Sequence, residues 1–236
     1  VHGGTGTLAR GLTDRYRTLI IDYRGIGEST DDVTRPATMK LHAEDVIGLL
    51  EHLGWTNVHF IGLVGMGACV AQQVAITRPE LVRSMVNMGC WAAVDDFLRD
   101  QLEMFRDVHA RMGFEAFQKF VCFMSFRPDY YNANRHRLLG PEGPWSELMS
   151  RQVAHGRLVD ACLSHDVRET LPRVKAPTLV VHSAKDYVTS PRYTREIEAL
   201  IPNAESVTME DVAHVVAGKA QKVAFCEILF SFLERH

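Results

Sequence analysis

Two side chains near the end of the chain have the types and order needed for hydrolytic chemistry. His214 lies in Glu210–Asp211–Val212–Ala213–His214–Val215, just past the last expected strand, Ala204–Met209. Asp186 lies in Lys185–Asp186–Tyr187–Val188, just past a second apolar run that ends at Ser183. A carboxylate that orients an imidazole makes the imidazole a general base. A triad needs a nucleophile earlier in the chain. The place for one is Gly62–Leu63–Val64–Gly65–Met66–Gly67, between an apolar strand and a small-residue helix. This has the frame of a nucleophile elbow, whose usual signature is G-x-S-x-G. Phased from the helix, the serine position holds Gly65; phased from Gly62 it holds Val64. Neither can attack a carbonyl. The Gly65 register is preferred because only it ends on a glycine, Gly67. The plainer reading is a Gly-rich strand–helix turn of any doubly wound fold.

Glycine enters the strained elbow region at little cost, where another residue gives up about 1–3 kcal/mol. The turn can therefore persist without its nucleophile, with its amides still aimed at a ligand. His2–Gly3–Gly4–Thr5–Gly6 reads as a loop whose backbone N–H groups meet a developing negative charge. Asp22–Tyr23–Arg24–Gly25–Ile26–Gly27–Glu28–Ser29 reads as a structured loop beside the elbow, of a kind more often architectural than catalytic. Thr5, Arg24 and Trp91 are the candidate substrate contacts.

These groups need a scaffold. Leu8–Tyr16 reads as a short helix and Arg17–Tyr23 as a buried parallel strand, from its unbroken apolar run. Thr38–Trp55 is an amphipathic helix closed by Gly54. Asn57–Val64 is a strand, the elbow helix runs to Arg78, where Pro79 stops it, and Val82–Met88 is a strand. Alternation of this kind implies a parallel sheet with crossover helices. From residue 92 to 174 the rhythm turns helical: Asp95–Met112, Gly113–Phe126, Tyr130–Leu139 and Trp145–His165. Their aromatic and Met stripe is first of all core, although some of it must face a ligand if these helices cap a pocket. The sheet resumes at Ala176–Ser183, with helix Pro191–Leu200, strand Ala204–Met209 and a last helix to Arg235. The expected fold is α/β, with a mostly parallel doubly wound core (1–91 and 175–236) and an inserted helical cap (92–174).

Composition bounds the function. With 236 residues, 46% hydrophobic, the chain suffices for one packed domain with an insertion. A net charge of −3 without a basic stripe excludes nucleic acid as an expected partner. No apolar run reaches membrane-spanning length. Five cysteines without C-x-x-C spacing, with Cys69, Cys122 and Cys226 in apolar surroundings, read as buried reduced thiols in a cytoplasmic setting. His109, His136, His155 and His165 read as exposed or structural. No metal-ligand spacing is evident, and neither metal nor cofactor is expected. The chain opens on Val1, and the strand expected before His2–Gly3–Gly4 is not in it; upstream strands are missing or the sheet is short.

Together, His2–Gly3–Gly4, Asp22–Tyr23–Arg24–Gly25, the elbow frame, Lys185–Asp186–Tyr187–Val188 and Ala213–His214 resemble the α/β-hydrolase fold superfamily over essentially the whole chain. The resemblance implies an oxyanion hole from the amides of Gly4 and Met66, with Asp186 orienting His214. It also implies a small-molecule substrate and leaves a homodimer open. Gly65 departs from the pattern and removes the covalent route. The segment Asn87-x-Gly89-Cys90-Trp91, the length and the cap pattern are similar to the aminoacrylate hydrolase group, which can also lack the elbow serine. The N-myc-downregulated-like branch, regarded as non-catalytic, is similar in its serine-free elbow.

Two functions follow from this reading. One is hydrolysis of a small labile substrate (ester, enol lactone, enamine or C–C bond) by water that His214 and Asp186 activate. Loss of a triad nucleophile leaves only about 10³–10⁴-fold catalysis over water, so a stable amide is not the expected substrate. The other is a ligand-binding or regulatory protein that has lost the chemistry. Gly65→Ser tests the frame: gain of ester cleavage would show the rest of the site correctly placed, and an inert folded variant would put the assignment of Gly65 or of the base in doubt.

Overall fold

The computed structural model describes residues 11–236. Its elements are α1 (Met39–Leu53), β1 (Val58–Gly62), α2 (Met66–Thr77), β2 (Val82–Met88), α3 (Asp96–Met112), α4 (Phe114–Ser125), α5 (Pro128–Leu138), α6 (Gln152–Leu163), β3 (Thr178–Ser183), α7 (Pro191–Leu200), β4 (Glu205–Met209) and α8 (Lys219–Arg235). The strands form one parallel sheet in the order β1-β2-β3-β4. Side chains alternate between its two faces. Met85 and Val180 join α1, α2 and α7 in one core, whereas Val86, Leu179 and Val181 join α8 in the other. Covering both faces is what lets β3, Thr-Leu-Val-Val-His-Ser, be buried along its whole length.

Local signals set the helix ends. Thr38 accepts from the Leu41 amide at 3.1 Å, and Gly54 closes α1 at φ 64°. Asp95 accepts from the Leu98 amide at 2.9 Å and starts α3.

Arg17–Tyr23, expected as a buried strand, is irregular chain with no ladder, and Leu19 and Ile20 are each 37% exposed. Apolar composition makes a strand only where a neighbour offers an edge. Among the described residues no strand pairs with this run, and β1 is bonded to β2 alone. Of the expected helix Leu8–Tyr16, residues 8–10 lie outside the described residues; Gly11 and Leu12 are helical and the chain then leaves the helix in a turn, the Tyr16 amide donating to the Leu12 carbonyl at 2.7 Å.

Helices α3–α6 form an insertion between β2 and β3 that enters and leaves through one neck. The Val167 amide donates to the Ala92 carbonyl at 2.8 Å, and Ala93 bridges Asp166. Phe105, Phe117, Val121 and Leu148 of the insertion pack with Ile26 and Val188 of the core. Three hydrogen bonds reach the loops after β3 and β4, one of them from Arg127, between α4 and α5, to the Asp211 carbonyl at 3.1 Å. Gln101 of α3 donates to the Val188 carbonyl at 2.9 Å, and the Val215 amide donates to the Ser125 carbonyl of α4 at 3.1 Å. Arg151 donates to the carbonyls of Gly25 and Gly27, and Arg157 pairs with Asp31.

Candidate active site

The elbow is built by close approach. A Cβ on Gly62 would fall 2.2 Å from the Ala68 Cα, so only glycine lets α2 leave β1 this steeply. Gly65, at φ 86° and ψ −98°, precedes Met66, the first residue of α2, and its carbonyl accepts from the Ala68 amide at 3.1 Å. Val64 also has positive φ, 56°, which is strained for a β-branched side chain. The structure thus puts Gly65 at the turn-to-helix junction where an elbow carries its nucleophile. The Met66 amide belongs to the helix's first turn, whose N–H groups lack intrahelical partners.

A side chain at 65 would have little room. Its Cβ would stand 3.3 Å from Cζ3 of Trp91 and 3.4 Å from the Gly89 carbonyl oxygen. Nearby thiols do not replace the missing serine. Burial pushes the Cys69 and Cys90 thiols up, away from thiolate, and the Asp186 charge adds to the effect at Cys90.

Asp186 and His214 meet as their chain order suggests. Asp186 Oδ1 accepts from the amides of Val188 and Thr189, each at 2.8 Å. Its Oδ2 lies 2.9 Å from His214 Nδ1 and accepts from the Thr189 hydroxyl at 2.9 Å. Four donors thus compensate a carboxylate that is only 5% exposed. A carboxylate has no proton to give, so the proton lies on His214 Nδ1 and the Nε2 lone pair is the basic end. Among the described residues nothing is bonded to that Nε2.

Gly89 joins the two halves of the site. It has φ 62°, and a Cβ there would stand 3.3 Å from His214 Nδ1 and from Thr189 Oγ1. The imidazole therefore rests on bare backbone next to the elbow.

The other candidates divide. Gly4 and Thr5 lie outside the described residues. Trp91 borders the elbow, with its Nε1 buried and unpartnered among the described residues. Arg24 gives its guanidinium to Asp45 and lies 3.9 Å from Asp31, so its donors serve the fold. Sequence reasoning missed Thr189 and Gly89. The only signal for Thr189 was a hydroxyl residue three places after Asp186. Gly89 stood in a segment noted only for its likeness to relatives. His109, His155 and His165 are buried, His136 is exposed, and Cys226 is half-buried rather than buried. No group of three or more His, Cys, Asp or Glu side chains among the described residues could hold a metal ion. No helix among them is long and apolar enough to cross a membrane.

Comparisons with known proteins agree with this architecture. A family profile described as alpha/beta hydrolase fold matches residues 1–218. A protein of Pseudomonas savastanoi pv. phaseolicola named "Putative carbamate hydrolase RutD" is 24% identical over 228 residues, 94% of this chain and 85% of that protein. The enol-lactonase of Burkholderia xenovorans LB400 superposes with a TM-score of 0.76 at 21% identity, covering 90% of this chain and 79% of that one. MGS-M2, an alpha/beta hydrolase enzyme from a Medee basin deep-sea metagenome library, has a TM-score of 0.76 at 24% identity, covering 90% and 78%. An elbow strand and helix, an acid after β3, a histidine after β4 and a helical insertion after β2 stand in one order here, and the profile spans them all: the chain belongs to the α/β-hydrolase fold family.

Proposed function

We propose that the protein hydrolyses a small, activated carbonyl compound with water as the nucleophile and no covalent intermediate. Asp186 holds His214 with Nε2 as base, Nε2 takes a proton from water as its oxygen adds to the carbonyl, and the tetrahedral adduct collapses by breaking the bond to the leaving group, which receives the proton from Nε2. The Met66 amide, with that of Gly4, stabilises the oxyanion. A positioned base contributes about 10²–10⁴-fold and one oxyanion donor about 10²–10³-fold. Those factors suffice only for a labile bond, such as a carbamate, enol lactone or activated ester. The names of a carbamate hydrolase relative and an enol-lactonase neighbour support that class. The insertion would cap the pocket and set its selectivity.

The observation that carries the reading is the Asp186–His214 pair at 2.9 Å beside an elbow with no side chain. It is tested on a panel of carbamates, enol lactones and p-nitrophenyl esters. Turnover without a burst phase is expected, falling at least about 100-fold in His214→Ala. Equal rates in wild type and variant would reject the base, and a burst would reject the water route.

A second reading, ligand binding without chemistry, draws on Trp91, which occupies the side of Gly65 that a nucleophile would use. It predicts no turnover in either protein, with saturable binding of the same compounds in both.

A further inference from the structure

We infer that Thr189 is a positioning residue for His214, sharing the Nδ1 proton with Asp186 and fixing the carboxylate that holds it. The inference rests on the reading of His214 as the base.

Thr189 is 1% exposed. Its hydroxyl donates to Asp186 Oδ2 at 2.9 Å and lies 3.1 Å from His214 Nδ1. With its hydrogen committed to the carboxylate, Oγ1 presents a lone pair to the Nδ1–H. That proton faces two acceptors, Oδ2 at 2.9 Å and Oγ1 at 3.1 Å. The ring is thus bounded on both sides of its N–H rather than hinged on one oxygen.

The plain account is that a threonine three residues after an aspartate only completes a turn. The bonds say otherwise. The turn is closed by Oδ1, which takes the Val188 and Thr189 amides. The hydroxyl goes instead to Oδ2, the oxygen that carries the histidine. Among the described residues, the bonds of Oγ1 are to Asp186 and His214 alone. Gly89 completes the seat, since a Cβ there would stand 3.3 Å from both Oγ1 and Nδ1. A bond to a charged group in a buried network is among the stronger ones, and losing it frees the carboxylate to turn.

The test uses the full chain and needs no substrate for its first arm. The Nδ1–H resonance of His214, identified by its loss in His214→Ala, is followed by proton NMR. In Thr189→Val the proton has one acceptor left, a carboxylate oxygen with less compensation. Its resonance moves downfield, and Thr189→Ser returns it to the wild-type position. On a substrate from the panel, kcat falls by about 10–100-fold in the valine variant with KM little changed, and serine restores it. Should the valine variant not fold, Thr189→Ala is read in its place. A wild-type resonance in the folded variant that lacks the hydroxyl overturns the inference. If the resonance moves while wild type turns over nothing, Thr189 positions the ring but the hydrolase reading fails. If wild type turns over and neither resonance nor kcat responds, only Thr189 is misassigned.

Discussion

Gly65 shows how one position can look empty in sequence and be crowded in space. The chain suggests that a serine placed there would restore the usual machine. The backbone stands at φ 86°, and a Cβ would press on the Trp91 indole and the Gly89 carbonyl. Gly65→Ser should therefore lose about 1–3 kcal/mol of stability in chemical denaturation and show no burst with p-nitrophenyl esters. A burst at wild-type stability would mean that the indole yields freely. That Asp186 and His214 meet was readable because each follows a strand in an order the fold requires. Thr189, Gly89 and the Trp91 edge were not, because their role comes from neighbours distant in sequence. Gly89 meets His214 across more than a hundred residues, and no local pattern encodes that approach.

Among the elements, Thr38, Gly54, Asp95 and Pro191 all stand at or beside the helix ends they were expected to set, whereas the helix expected over Trp145–His165 starts only at Gln152, behind a short 3-10 turn at Ser146–Leu148. Arg17–Tyr23 failed because a strand is a pairing rather than a composition, and its apolar run has no described partner. The insertion holds a feature that sequence left undecided. His109 of α3 and His155 of α6 are buried with their Nδ1 atoms 2.9 Å apart, both against Phe117, and His109 Nε2 is unpartnered among the described residues. Burial, with His109 and then Arg106 adding to it, brings the His155 imidazole down to about 4. Burial does the same for His165, also to about 4, where its Nε2 donates to Gln72. The unfolded chain takes up these protons near pH 6.5, so it binds more protons than the fold between pH 6.5 and 4. Stability must fall on acidification through that window, by up to about 1.4 kcal/mol per pH unit for each group. Urea midpoints should drop from pH 7 to pH 5. The His155→Asn/His165→Gln variant should show a shallower drop, and an identical slope would remove these histidines as the cause.

At the scale of the whole molecule, the sheet does not hold the dyad unaided. The loop with Asp186 is bonded to α3 through Gln101, and the loop with His214 is bonded to α4 through the Ser125 carbonyl. Gln101→Leu should quicken hydrogen exchange at the Val188 and Thr189 amides while β3 amides stay protected. Unchanged exchange would show that the Asp186 turn stands by itself. The order of elements, the parallel sheet and the place of the insertion were all legible, since period and punctuation carry them. How the insertion grips the core was not, because it depends on side chains such as Gln101, Arg127, Arg151 and Arg157 meeting loops far away in the chain.

That grip bears on how proteins of this fold could be re-engineered. Exchanging the helices between β2 and β3 for those of a relative would be attempted to alter substrate preference. Here the exchange would also remove the bonds that hold the loops of Asp186 and His214, so on the proposed hydrolase reading a well-folded chimera would bind its new ligand and still turn it over slowly for want of aim.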